Sequence, residues 1–192
     1  QQVYTTRNLP KVRLQDKTRY VTDPDGILSA AATDSIDRML YTLEQQTGIE
    51  TVVAVVPSIG DEDCFDFSHR LLNEWGVGKK EKNNGLVILL VTDQRCIQFY
   101  TGYGLEGDLP DAIAKRIQTQ DMIPYLKVGN WDAGMVAGVR AVCARLDGSM
   151  KNDTPTEDEE SPWALILIFL GICGVALVAG VLKARAASKC PN

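Results

Sequence analysis

Histidine is nearly absent from this chain: His69 is the only one in 192 residues. A His-rich metal centre is therefore excluded. The charge balance is also modest, with 20 Lys and Arg against 25 Asp and Glu, a net charge of -5. That gives no basic stripe, and the small basic loop Lys79, Lys80, Lys82 has no interleaved aromatic residue, so nucleic acid is not an expected partner. The five cysteines match no zinc spacing. Cys96 and Cys143 sit in apolar patterns and read as buried free thiols. Cys64 completes an odd set of three in the main domain, while Cys173 and Cys190 lie near the C-terminus. No Gly-x-Ser-x-Gly elbow or Asp-x-Asp-x-Asp-Gly calcium loop occurs. The chain opens on Gln1 rather than Met, which is compatible with a removed leader or a trimmed start.

The residues that are present divide into five stretches. Residues 1–17 show no clear period and read as a flexible lead-in. Residues 18–148 carry the elements of one domain. Residues 149–162 are polar and acidic and read as a linker. Trp163 to Leu182 contains 20 residues without a charged side chain. At ~1.5 Å per residue that run is about as long as a bilayer core is thick, so it reads as a transmembrane helix. Lys183, Arg185 and Lys189 come after it, placing the 183–192 tail in the cytoplasm and the main domain outside, as a single-pass membrane protein.

Within the domain, Arg19-Tyr20-Val21 suggests a short strand ending in Asp23-Pro24-Asp25-Gly26, which has turn chemistry. Ile36, Met39, Leu40 and Leu43 recur at helical spacing from about Ser29, and Gly48 is placed to end that helix. Thr51–Val56 reads as a buried strand. Asp61 is expected to cap a helix with Cys64, Phe67, Ser68, Leu71, Leu72 and Trp75 on one face. Leu86–Val91 and Arg95–Thr101 flank a short turn and read as a hairpin. Pro110 suits the first turn of a helix, Pro124 is expected to stop the segment beyond it, and a last helix spans Asp132–Leu146. A helix between the first core strands implies parallel crossovers. The fold class expected is α/β, a mixed sheet with an antiparallel hairpin edge between helical layers.

Several phrases then stand out in order: Val21-Thr22-Asp23-Pro24-Asp25-Gly26-Ile27-Leu28-Ser29, Trp75-Gly76-Val77-Gly78, Asn83-Asn84-Gly85, Thr101-Gly102-Tyr103-Gly104-Leu105-Glu106-Gly107 and Leu109-Pro110-Asp111-Ala112. Together they resemble the TPM domain family. The resemblance implies an α/β/α sandwich that is Rossmann-like and is often tethered by one membrane helix. Its members include photosystem-repair proteins and a receptor-associated protein of animals. Some bind calcium and some are described as acid phosphatases.

The residues that could hold calcium are Asp23, Asn84, Glu106 and Asp111, all oxygen donors just outside regular elements. Ligands of open α/β sheets gather on such loops. The structural alternatives are that Asp23 shapes its own turn and that Asp111 favours a helix start. No residue is assigned as catalytic, because no complete nucleophile-and-base set is apparent. Asp23-Pro24-Asp25 only superficially resembles an aspartyl-phosphate motif, with Ile27 where Thr or Val is required. The expectation is a calcium-binding, membrane-tethered domain acting on other membrane proteins in their assembly, repair or quality control. A metal-dependent acid phosphatase-type hydrolase is the alternative.

Overall fold

The computed structural model describes residues 2–148. The expected span Trp163–Leu182, the linker before it and the basic tail lie outside the described residues. Among the described residues no helix is long and apolar enough to cross a membrane.

The elements in chain order are α1 (Val12–Gln15), β1 (Val21–Thr22), α2 (Ala30–Thr47), β2 (Glu50–Val56), α3 (Cys64–Trp75), β3 (Gly85–Val91) and β4 (Cys96–Thr101). Next come a 3-10 turn (Tyr103–Leu105), α4 (Asp111–Ile117), a π-helical turn (Gln118–Met122), α5 (Ile123–Leu126) and α6 (Trp131–Leu146). The sheet order is β1-β2-β3-β4. The first three strands run parallel and β4 pairs antiparallel to β3, so the expected hairpin edge is present.

The strands of a sheet buried on both faces read as continuous apolar runs, and alternate side chains feed opposite cores. Val53, Val55, Leu86, Ile88 and Leu90 meet α2, α4 and α6 in one core. Val52, Ala54, Val56, Val87, Leu89 and Val91 meet Phe67 and Leu71 of α3 in the other. Helices thus cover both faces. Yet β1, β2 and β3 step across the sheet in one direction while α2 and α3 lie on opposite faces. The two crossovers must therefore have opposite hands, so one is of the rare left-handed kind. A doubly wound Rossmann sheet reaches both faces by reversing its strand order. This sheet has no such reversal and no switch-point crevice, which departs from the Rossmann-like expectation.

Other boundaries shift for local reasons. Residues 3–16 are not a loose lead-in: Tyr4, Thr6 and Leu9 are buried. The Tyr4 amide donates to the Ser58 carbonyl at 2.9 Å, and the Trp75 indole donates to the Thr6 carbonyl at 2.8 Å. Ser29 caps α2 by accepting from the Ala32 amide, and Gly48 ends it in the left-handed conformation. Asp63, not Asp61, caps α3, because its carboxylate reaches the Phe65 and Asp66 amides. Pro124 sits at the start of α5 rather than stopping a helix, since the first turn needs no amide donor from it. Cys64 and Cys96 form a disulfide instead of remaining free. Cys143 alone is a free thiol among the described cysteines, and burial pushes it up to about 12.

Candidate functional site

The glycine-rich phrases converge on the edge of the sheet where β2 and β3 begin. The Gly102 amide donates to the Gly85 carbonyl and the Gly104 amide to the Asn83 carbonyl. A Cβ on Gly104 would collide with the Lys82 carbonyl, one on Gly102 with the Asn83 carbonyl, and one on Gly85 with the Val77 carbonyl. These glycines let loop backbones approach one another, so no ligand is needed to explain them.

Strand direction divides the four residues expected to gather round calcium. The chain leaves β1 toward the ends of β2 and β3, carrying Asp23 with it. It leaves β4 toward their beginnings, carrying Glu106 with it. Between β1 and β4 lie three strand spacings, ~14 Å, before the loops diverge. The Asp23 carboxylate is occupied by the Ile27 amide at 2.9 Å and the Leu28 amide at 2.7 Å, forming its own turn. Asn84 is 6% exposed. Its side chain accepts from the Lys79 amide and donates to the Gly48 carbonyl, stitching three loops. Glu106 lies just after the 3-10 turn, and Asp111 begins α4. Both are exposed. Among the described residues no three His, Cys, Asp or Glu side chains converge to hold a metal ion. As one set of ligands, the four do not fit calcium.

A cleft of about 400 Å³ lies elsewhere, at the β1 edge of the sheet. Its origin is local. Asp37, buried on α2, accepts the Tyr20 amide at 2.7 Å and the Val21 amide at 3.1 Å. Asp16 accepts both the amide and the hydroxyl of Thr18. The chain before Tyr20 therefore bends away, and β1 pairs only with Val53 and Ala54. The Val53 amide donates to the Tyr20 carbonyl, so the backbone groups of Thr51, two residues earlier, point to the same side. There no strand meets them among the described residues. Thr51 as a whole, backbone included, is 1% exposed, and its hydroxyl has no hydrogen-bond partner.

The cleft walls are Tyr20 and Glu44 on one side and Trp75 to Val77 on the other, with Lys11, Leu14 and Lys17 at the rim. Arg13 pairs with Glu44 at 2.9 Å and lies 4.4 Å over the Tyr20 ring. The Tyr20 hydroxyl donates to Glu44, and burial together with that carboxylate pushes the phenol well above its ordinary range. Lys11 lies 5.3 Å over the Trp75 ring. Sequence patterning could not show this cleft, because Thr51 reads as one more strand former and Lys11 and Lys17 fall in a stretch without period.

The profile of the TPM domain matches residues 21–145. The chain belongs to the TPM domain family. This TPM domain is similar to the N-terminal domain of a P. gingivalis protein solved by NMR. The two are 44% identical with a TM-score of 0.73, over 79% of this chain and 96% of that one. It shares the fold of a protein from the psychrophilic bacterium Bizionia argentinensis, at 18% identity and a TM-score of 0.56, over 66% of this chain and 86% of that one. A chloroplastic UPF0603 protein of Oryza sativa is 22% identical over 71% of this chain and 46% of its own length. One from Arabidopsis thaliana is 20% identical over 73% of this chain and 50% of its own length. The chain thus spans about half the length of these curated relatives.

Proposed function

We propose that this TPM domain is a binding module, tethered to a membrane by the Trp163–Leu182 run and held outside the cytoplasm, that engages other membrane proteins during their assembly, repair or quality control. The cleft at the β1 edge carries this reading. It has the size of a ligand pocket, ~300–1,000 Å³. The Cys64–Cys96 disulfide supports placement in an oxidising compartment. Hydrolysis gains no support: the Asp23 carboxylate is held by two amides, and His69 stacks on Tyr100 with ring centres 5.1 Å apart. Calcium stays in the proposal only at the Glu106 to Asp111 loop, as a weak, water-rich site.

The test places a photocrosslinking residue at Leu14, exposed on the cleft rim, in the full chain in its native membrane. Adducts with membrane proteins are expected, and an adduct-free membrane fraction overturns the reading. In the same labelled protein, calcium should move amide resonances of residues 105–111 and leave those of residues 23–28 in place. Shifts at residues 23–28 would restore the divided ligand set.

A further inference from the structure

We infer that the domain pairs with a second copy of itself along the free edge of β4, joining the two sheets into one. The inference goes beyond the reading of the cleft, since β4 lies at the opposite edge of the sheet from β1 and pairing there leaves the cleft open. Three features select this occupant. First, the edge is open. The Gly102 amide donates to the Gly85 carbonyl, so every second residue back along β4 bonds to β3, while Ile97, Phe99 and Thr101 present their backbone groups outward. Among the described residues no strand meets them. Along Cys96–Thr101 only Phe99 is buried. Its carbonyl accepts the Gln98 side-chain amide at 2.7 Å, a flexible group that an incoming strand displaces. The strand carries neither charge nor proline, which are the usual guards of an exposed edge.

Second, the surface beside the edge is aromatic. Helix α3 rides over both β3 and β4. Phe65, 53% exposed, stands 5.2 Å from the Tyr100 ring and His69 stands 5.1 Å from it, so one stripe of α3 faces the edge. Antiparallel edges are related by a two-fold axis through the sheet, which sets α3 beside its own copy on the same face. About two strand spacings, ~10 Å, then separate the two helices, the distance at which helices pack.

Third, charge names a second copy rather than an unrelated strand. The N-terminal end of α3 carries the exposed Asp61 and Asp66, and the loop beyond its C-terminal end carries the exposed Lys80 and Lys82. Among the described residues none of the four forms an ion pair. The Lys82 carbonyl abuts Gly104, just past β4, so this loop lies on the edge side of the domain. An antiparallel copy lays each acidic end against the lysines of the other, and the two-fold makes that contact twice.

The experiment uses the full 192-residue chain in density-matched detergent micelles, followed by sedimentation and by amide hydrogen exchange. A dimer is expected, with the Ile97, Phe99 and Thr101 amides more protected as concentration rises. Thr101→Lys puts a charge on the edge and should raise the dimer Kd about tenfold or more while the spectrum keeps its dispersion. Asp61→Lys with Asp66→Lys in one chain, and Lys80→Asp with Lys82→Asp in another, should each leave monomers, and an equal mixture of the two should restore a dimer. A chain that stays monomeric overturns the inference and gives the edge to a strand of another protein. So does a dimer whose three edge amides exchange freely, because its contact lies elsewhere. A mixture that fails to pair overturns it too. Exchange in the unaltered chain decides the matter even where a variant fails to fold.

Discussion

Asp37 shows how one buried side chain shapes an edge. Its carboxylate takes the Tyr20 and Val21 amides and faces Arg19 at 3.2 Å. Burial raises its pKa, and the two amides and Arg19 only partly oppose that shift. For a carboxyl raised above its unfolded value, the contribution to stability is greatest below the unfolded pKa. It is lost as pH rises through the folded value. Stability should therefore fall across the range just above pH 4, and Asp37→Asn should flatten that slope while its amide oxygen keeps both backbone donors. Asp37→Ala should cost about 2–4 kcal/mol, because it strands two buried amides. Urea unfolding from pH 3 to 7 checks both. An unchanged slope in Asp37→Asn would assign the pH dependence to another group.

At the scale of elements, the glycine loops separate close packing from mere flexibility. Gly104→Ala drives a Cβ into the Lys82 carbonyl, which has no side-chain freedom with which to yield. It should cost about 2 kcal/mol or more. Gly107 lies three residues on, with open space around its would-be Cβ and no positive φ. Gly107→Ala should stay within about 0.5 kcal/mol. Chemical unfolding of the two variants decides the matter, and equal losses would refute the packing account. This contrast also marks what the sequence could and could not reveal. The faces of α2 and α3 were legible because 3.6-residue spacing is a property of the chain itself. So was the density of glycine at residues 102–107. That the glycines meet residues 82, 83 and 85 was not, because it depends on β4 folding back antiparallel onto β3. Asp61 and Asp63 are equally good caps on paper, and only the path of the preceding turn chooses between them.

Across the whole molecule, the same limit accounts for the divided calcium set. Loops that look equivalent in order leave opposite ends of the sheet once strand direction is known. The shortness of β1 could not be read from Arg19-Tyr20-Val21 either, because it arises from a carboxylate on α2 capturing the strand's amides. The disulfide is of this kind too. Cys64 opens α3 and Cys96 opens β4, 32 residues apart in sequence and brought to a Cα separation of 6.8 Å by the stacking of α3 on the hairpin. Closing a loop of that length restricts the unfolded chain by about 4 kcal/mol in the entropic account. Chain exported to an oxidising compartment should therefore unfold at distinctly lower urea concentration after reduction. Alkylation in denaturant should leave Cys64 and Cys96 unmodified before reduction and modify both after it. Modification of both without reductant would show that the two thiols stay apart, and would remove the main support for placing the domain outside the cytoplasm.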